Sequence, residues 1–245
     1  MPLVVREDCG GVASLTLNRP EKLNALTSSM FAELDGHLRA LETQRDEIGV
    51  VILGGAGRCF SAGHDLEDIQ AEESAARPNF EGKVIERIAS LPQPVIVAVH
   101  GHCYTGALEL ALAGDLILAC DDARFADTHA KFALAPIWGL SQRLVRRVGS
   151  YKAREMMLLC ATYDAQQALA MGLVNFVVSK ETFAAETDAL ARQILALSWF
   201  SHRANKRLIL ETDGMRLSDG LAHEYYHGAG LGPDHARRIA TFLER

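Results

Sequence analysis

Two short glycine-containing segments hold the residue types best suited to chemistry in this chain. The first, 57–66, reads Gly-Arg-Cys-Phe-Ser-Ala-Gly-His-Asp-Leu, and the second, 104–110, reads Tyr-Thr-Gly-Ala-Leu-Glu-Leu. Each follows an apolar run (50–53 and 94–99) and precedes a stretch compatible with a helix. A strand-to-helix turn exposes backbone N–H groups, and the helix dipole adds positive partial charge there. Two such turns brought together would direct two N–H donors at one oxygen, which is an oxyanion hole.

One acidic residue lies close to the second glycine turn. Glu109 follows Gly106 by three residues, so a helix would place it one turn inside the second segment. It stands between Leu108 and Leu110, and a carboxylate in such an apolar helix is costly unless it has a partner or a function. We therefore predict that Glu109 transfers a proton next to the oxyanion hole.

The composition is that of an ordinary soluble globular protein. Of 245 residues, 49% are hydrophobic and 23% are charged, and the net charge is −6. An acidic chain argues against nucleic acid as a partner, and no apolar run reaches the ~20 residues needed to span a bilayer. The first residues lack the pattern of a signal peptide, and the five cysteines are scattered without a Cys-x-x-Cys pair. We expect a cytoplasmic protein with reduced thiols and no membrane partner.

Strand-like and helix-like stretches alternate along the chain, which predicts an α/β architecture. A hairpin is predicted around Gly10 and Gly11, and Thr27 is predicted to cap a helix with apolar positions at helical spacing. The predicted strands are 3–7, 12–17, 50–53, 94–99, 115–119, 124–125 and 173–178. Further helices are predicted at 83–90, 106–113, 151–159 and 164–171, with a loop or short helix at 67–80 and helix after helix from 181 onward.

Several segments match, in order and with near-family spacing, the motifs of a known family. They are LNRPEKLNAL (17–26), FSAGHDL (60–66), GALELA (106–111), GD (114–115), PIWGLSQRL (136–144), DAQQA (164–168) and GLVN (172–175). On these motifs the chain resembles the enoyl-CoA hydratase/isomerase (crotonase) superfamily over nearly its full length.

The resemblance implies the architecture and the kind of ligand. It implies a spiral of β-β-α units over residues 1–190, which form an acyl-CoA-binding core, and a helical region over 191–245 that assembles homotrimers or homohexamers. It also implies an acyl-CoA thioester as substrate, with no cofactor beyond the coenzyme A moiety of that substrate.

The resemblance also implies roles for individual residues. The two oxyanion donors would be the backbone N–H groups of His64 and Gly106. The residues implied to bind coenzyme A or the acyl group are Glu21, Lys22, Leu23, Ala25, Ala62, Asp65, Leu66 and Trp138. Two of these have an alternative interpretation that stays open. Asp65 could instead cap a helix, and Trp138, where the family usually has a small residue, could narrow the acyl pocket or fill the core.

Glu109 matches one of the two glutamates that hydratases of this family use. At the position of the other glutamate the chain has His129, four residues after Phe125, and the alignment there needs no gap. Histidine serves as an acid or a base at neutral pH, so Glu109 and His129 remain a plausible hydratase pair. Alternatively, Asp127 or Thr128 faces the site and His129 only packs.

We therefore predict a lyase that hydrates a 2-enoyl-CoA to a 3-hydroxyacyl-CoA. The alternatives are another reaction of the superfamily, namely decarboxylation, isomerisation or C–C hydrolysis, and a catalytically inactive CoA-binding scaffold.

Two other groups of residues superficially suggest a metal. Residues 223–227 read His-Glu-Tyr-Tyr-His, which matches the zinc-protease pattern H-E-x-x-H. Gly230 also fits the longer metzincin pattern, but position 233 is proline where that longer pattern requires a third histidine. His100, His102 and Cys103 are close in sequence, but neighbouring side chains point apart on an extended chain. We predict no metal site.

Overall fold

Strands and helices alternate along the chain in the computed structural model, which describes residues 1–70 and 79–244. The strands are β1 (Val4–Cys9), β2 (Val12–Leu17), β3 (Val50–Gly55), β4 (Val95–Val99), β5 (His102–Tyr104), β6 (Leu116–Cys120), β7 (Arg124–Ala126), β8 (Tyr163–Asp164) and β9 (Phe176–Val178). The helices are α1 (Ser28–Thr43), α2 (Leu66–Gln70), α3 (Phe80–Ser90), α4 (Gly106–Ala111), α5 (Leu140–Val148), α6 (Ser150–Leu159), α7 (Ala165–Ala170), α8 (Phe183–Leu195), α9 (Trp199–Thr212), α10 (Leu217–His227) and α11 (His235–Leu243). Short 3-10 helices lie at Pro20–Lys22 and His129–Phe132.

Among the described residues, six strands form the central sheet, in the order β1-β2-β3-β4-β6-β9. The β1–β2 hairpin is antiparallel and the later pairs are parallel. The hairpin turns at Gly10 and Gly11, whose φ angles of +57° and +86° cost glycine nothing. Parallel sheets need both faces covered. Here α8 covers one face through Ala191 and Ile194, and the larger core, which includes the buried face of α1, covers the other. The predicted α/β class is confirmed.

Helix α1 forms where its cap and its apolar spacing predicted it. The Thr27 hydroxyl accepts the N–H of Met30 at 3.2 Å. The periodic residues Met30, Leu34, Leu38 and Leu41 are all buried in the main core. A stripe of this kind stabilises the helix chiefly through packing.

A small second sheet positions the residues of interest, and the sequence did not predict it. Its strand order is β5-β7-β8, with β5 parallel to β7. Because β5 and β7 run side by side, the segments that follow them, Thr105 with α4 and the 3-10 helix His129–Phe132, begin at the same edge. A strand was predicted at 124–125, within β7, but β5 and β8 were not predicted, because strands of two or three residues are too short to carry a period-two pattern.

Some predicted boundaries differ from the structure. The strand predicted at 173–178 begins only at Phe176, because the N–H groups of Leu173 and Val174 bond back to the Ala168 carbonyl and extend the turn after α7. Helix α5 was not predicted at all. Of the predicted loop or short helix at 67–80, residues 66–70 form α2, residue 80 begins α3, and residues 71–78 lie outside the described part. The boundary predicted at residue 190 falls inside α8.

The helices after α8 leave apolar side chains on the surface. Lys206 attaches α9 to the core, since its ammonium group donates to the Asp115 carboxylate at 2.7 Å and to the Gln93 carbonyl at 3.0 Å. Large apolar residues on these helices and their connections remain exposed: Ile209, Leu210, Met215, Leu217, Leu221, Tyr225, Tyr226, Leu231, Ile239, Phe242 and Leu243. Within residues 1–70 and 79–244, no helix has the length and apolar character needed to cross a membrane.

Candidate active site

The two glycine segments lie side by side in the structure. Ser61 forms a parallel bridge with Cys103, and its N–H donates to the His102 carbonyl at 2.9 Å. A Cβ added to Gly63 would lie 2.7 Å from the Tyr104 carbonyl oxygen. Only glycine permits this approach, so Gly63 brings the first turn against the second.

The backbone N–H groups of His64 and Gly106 are free at this junction. Neither donates a hydrogen bond to an acceptor within residues 1–70 and 79–244. The Gly63 carbonyl and the Asp65 N–H both bond to Leu26, so the His64 N–H between them points to the opposite side. A Cβ built on Gly106 would lie 3.3 Å from the His64 nitrogen, so the two donors are neighbours. The arrangement is the one predicted for an oxyanion hole.

Glu109 is buried next to these donors, with 2% of its surface exposed. Its Oε1 accepts the backbone N–H groups of Trp138 and Leu140, each at 3.0 Å. Burial raises the pKa of the Glu109 carboxyl above its ordinary value, and these two hydrogen bonds and nearby His129 oppose that rise. Oε2 faces His129.

His129 is held by Asp127 and faces Glu109. The Asp127 Oδ1 lies 2.6 Å from His129 Nδ1 and also accepts the His129 backbone N–H at 3.1 Å. An ionised carboxylate only accepts hydrogen bonds, so Nδ1 carries a proton. Nε2 is then the ring nitrogen on the side away from Asp127. His129 Nε2 lies 3.7 Å from Glu109 Oε2. Both His129 and Asp127 are buried.

Most of the residues predicted to form the site line one cavity of about 250 Å³. The predicted residues that line it are Ala62, His64, Leu66, Gly106, Glu109, His129 and Trp138. Thr128 also lines it, whereas Asp127 lies behind His129. Trp138 lies between the cavity and the core, and its contact with an acyl group stays a prediction. Its ring borders the cavity, and it packs edge-on against Phe31 with the ring centres 5.0 Å apart.

Asp65 is placed differently from its predicted contact with the ligand. It does not line the cavity among the described residues; its carboxylate instead accepts the Glu67 N–H at 2.9 Å and pairs with Arg19 at 2.5 Å. The hydrogen bond from Arg19 lowers the pKa of Asp65. With both oxygens engaged, Asp65 caps α2 and fixes the loop, as the alternative interpretation had it.

The loop predicted to bind coenzyme A lies beside the first glycine segment but not in the cavity lining. The Ala62 N–H donates to the Leu23 carbonyl at 3.0 Å, which joins the two. Glu21 and Lys22 are exposed, and Leu23 and Ala25 are half-buried. Contact of these four residues with coenzyme A stays a prediction.

Two polar residues at the site, Asp68 and Thr105, were not predicted from the sequence, and Asp127 and Thr128 were predicted only as alternatives to His129. Asp127 orients His129; Asp68 lies 3.4 Å from His64 Nε2; and the hydroxyl of Thr105 pairs with that of Thr128 at 2.5 Å. Burial lowers the pKa of the His64 imidazole, and Asp68 opposes this. The Asp-x-His spacing at 127–129 is the signal in the sequence that could have indicated that Asp127 orients His129.

The histidines of the H-E-x-x-H segment do not form a metal cluster. His223 Nε2 lies 2.8 Å from a carboxylate oxygen of Glu211, and the rings of His223 and His227 stack with their centres 4.6 Å apart. No group of three histidine, cysteine, aspartate or glutamate side chains in the described part is arranged to hold a metal ion.

Comparisons with known proteins show the family to which the chain belongs. The family model described as enoyl-CoA hydratase/isomerase matches residues 7–225. A probable peroxisomal enoyl-CoA hydratase of Arabidopsis thaliana is 34% identical over 98% of this chain and 91% of its own length. A 1,2-epoxyphenylacetyl-CoA isomerase of Escherichia coli is also 34% identical, over 96% and 93%. The crystal structure of an enoyl-CoA hydratase of Mycobacterium smegmatis superposes with a TM-score of 0.92 at 30% identity, covering 100% of this chain and 97% of that one.

Proposed function

The chain belongs to the enoyl-CoA hydratase/isomerase family, and on that premise we propose that it hydrates a 2-enoyl-CoA to a 3-hydroxyacyl-CoA. The observation that carries the proposal is the pair of proton-transfer groups beside the two free amides. Glu109 and His129 face each other at 3.7 Å in a cavity that also contains the His64 and Gly106 turns.

The two amides would hold the thioester oxygen. When water attacks Cβ, the electron pair of the double bond moves onto this oxygen and an enolate forms. The N–H groups of His64 and Gly106 stabilise that charge without reorganising, because both are fixed in the backbone. The loss of one such donor typically costs about 3–4 kcal/mol of transition-state stabilisation.

Glu109 would activate the water. Its Oε1 is occupied by two backbone N–H groups, so Oε2 is the oxygen available to a water. The raised pKa of the buried carboxyl makes it a better base near neutral pH than an exposed glutamate. It takes one proton from the water while the water oxygen bonds to Cβ.

His129 would complete the addition. Asp127 binds its Nδ1–H, so Nε2 is the nitrogen that can give a proton to Cα. The proton that Glu109 has accepted then passes to Nε2 through one bridging water, since the two groups are 3.7 Å apart; this restores both groups, and the reaction adds one water in total.

The finer predictions on assembly and location belong to the same proposal. We propose a cytoplasmic homotrimer or homohexamer, with no nucleic-acid or membrane partner and no cofactor beyond the coenzyme A of the substrate. The exposed apolar residues of α9 to α11 support the assembly, because a solitary chain would leave them in water. Residues 191–245 would form that interface, and residues 1–190 the acyl-CoA-binding core.

A panel of thioesters tests the reaction class. The purified protein is given a 2-enoyl-, a 3-enoyl-, a malonyl-type and a β-diketone acyl-CoA, and the products are identified by mass spectrometry. We expect the 2-enoyl-CoA to gain one water at the 3-position. A shifted double bond, lost carbon dioxide or a cleaved C–C bond would assign one of the other reactions, and binding without turnover of any thioester would indicate a scaffold.

A further inference from the structure

A second, larger groove lies directly behind the wall of the cavity. Its volume is about 860 Å³, and it runs between α3, α5 and the end of α4. Ile137 and Trp138 line both the cavity and this groove, so these two residues separate them. The groove wall includes apolar residues, among them Ala89, Leu112 and Ala113.

The indole of Trp138 is wedged between two helices. A Cβ added to Gly106 at the start of α4 would lie 2.6 Å from Cζ3 of the indole, and one added to Gly82 on α3 would lie 3.9 Å from its Cδ1. The imidazole of His64 packs against the same ring, with the centres 4.6 Å apart. The indole therefore reaches from α3 to the amides that would hold the thioester.

Two hydrogen bonds hold the main chain of Trp138, from which the ring projects. Its N–H donates to Glu109 and its carbonyl accepts from the Arg143 guanidinium, both at 3.0 Å. The side chain is 4% exposed, and the Phe31 ring packs edge-on against it on the side of the core. The separation between cavity and groove is thus a rigid one.

The cavity formed by the described residues is small for a ligand site. Its 250 Å³ lies below the roughly 300–1,000 Å³ of pockets that enclose drug-sized ligands. An acyl chain that starts at the His64 and Gly106 amides meets the indole after a few carbons. We propose that Trp138 restricts this enzyme to short-chain acyl-CoA thioesters by closing the cavity off from the outer groove. The inference rests on the proposed acyl-CoA function and names its substrate class.

Chain-length profiles test this proposal. The value of kcat/KM is measured for butenoyl-CoA and decenoyl-CoA with the wild type, Trp138→Ala and the milder Trp138→Leu. We expect the wild type to favour the short substrate by about 100-fold or more, because a rigid apolar pocket discriminates at about 10-fold or more per misfitting group. In Trp138→Ala the ratio falls to within about tenfold, since the long chain now enters the groove.

A control variant separates pocket size from general loosening of the core. Leu38 is buried on α1 and lines neither the cavity nor the groove in the described part of the chain. Leu38→Ala therefore keeps the wild-type ratio. A wild type that prefers decenoyl-CoA, or a ratio unchanged in both Trp138 variants, would overturn the proposal.

Binding provides a readout that does not need turnover. Calorimetric titration with saturated butanoyl-CoA and decanoyl-CoA, at concentrations below micelle formation, compares the same variants. If the wild type hydrates no enoyl-CoA but binds butanoyl-CoA far more tightly than decanoyl-CoA, and Trp138→Ala removes that preference, the hydratase function fails and the chain-length inference stands. Hydration of butenoyl-CoA with equal binding of both thioesters would leave the function intact and refute the inference.

Discussion

At the scale of single residues, the charge of Glu109 is under opposing influences. Burial favours the protonated acid, whereas two backbone N–H groups and the neighbouring imidazole favour the carboxylate. The net effect is a pKa above the ordinary value. A carboxylate with a raised pKa can act as a base near neutral pH. It also destabilises the folded chain, because burial holds a charge that water would solvate better.

Glu109→Gln tests the role of this carboxyl. Glutamine can still accept both N–H groups but cannot take a proton, so we expect turnover to fall by about 10²–10⁴ while acyl-CoA binding is nearly unchanged. The wild-type rate should also decline as the pH falls through the raised pKa, at a higher pH than for an ordinary glutamate. The matched control is Glu67→Gln, because Glu67 is exposed and outside the cavity lining. Wild-type turnover by Glu109→Gln would mean that the carboxylate is misassigned.

Glu109→Gln is expected to lower turnover but to increase stability at neutral pH relative to the wild type. Between the unfolded and folded pKa values of Glu109 the folded state binds more protons, so stability is highest below this window and is lost as the pH rises through it. Glu109→Gln removes this loss. Denaturant titrations at acidic and neutral pH should therefore give a smaller pH dependence for the variant.

His129 and Asp127 act as one unit, and their variants distinguish catalysis from packing. His129→Ala should reduce turnover and remove one limb of the pH–rate profile. Asp127→Asn cannot accept from Nδ1 in the same way, and we expect a loss of about 10- to 100-fold with a changed profile. If the pair only packs, both variants lower the melting temperature and leave the shape of the profile as in the wild type.

The histidines at 223 and 227 are expected to bind no metal. His223 is already engaged by Glu211, and a third ligand is missing from the H-E-x-x-H pattern. Elemental analysis should find no stoichiometric zinc, and a chelator should leave activity unchanged. One zinc per chain together with chelator-sensitive activity would contradict the acyl-CoA function and support a protease.

At the scale of elements, one of the contacts that attach α9 to the core is made by a buried cation, Lys206. Burial lowers the pKa of Lys206, which nevertheless pairs with Asp115 and the Gln93 carbonyl. Lys206→Met leaves Asp115 with one partner fewer, and we expect the free energy of unfolding to fall by about 1–3 kcal/mol, less than for a fully buried pair because Asp115 is partly exposed. Lys180→Met, which removes an exposed pair with Asp122, should change little in the same denaturant titration.

Elements with a local signal could be predicted from the sequence, and those that depend on distant contacts could not. The Thr27 cap and the spacing of Met30, Leu34 and Leu38 define α1 on their own. In contrast, nothing within the three residues of β5 indicates a strand, which exists because it pairs with β7. Glu109 and each glycine turn carry a local signal, whereas the contact between the two turns depends on the bridge between Ser61 and Cys103. Asp127 and His129 are only two residues apart, but their sequence spacing does not fix the direction of the imidazole.

At the scale of the whole molecule, the apolar surface of the last three helices indicates an interface with another chain. Leu217, Tyr226 and Phe242 are each more than two-thirds exposed, and side chains of this kind usually mark an interface when they are numerous. Another copy of the chain is the partner that the family resemblance implies.

We predict trimers or hexamers through this region. Light scattering at micromolar concentration should give three or six times the mass of the chain, and Phe242→Asp should reduce it. Leu158→Asp on α6, which is equally exposed, serves as the control outside the region. A monomeric wild type would refute the prediction, and dissociation by Leu158→Asp alone would place the interface elsewhere.

The contact between Trp138 and Glu109 has a consequence for how such an enzyme can diversify. The hydrogen bond to Glu109 comes from the main-chain nitrogen of residue 138, whereas the wall of the cavity is its side chain. A codon change at this position replaces the wall and keeps the donor, for any residue except proline. Substitutions at residue 138 can therefore change substrate specificity while the hydrogen bond to Glu109 is kept. The main chain of this one residue serves the catalytic base, and its side chain sets the shape of the cavity.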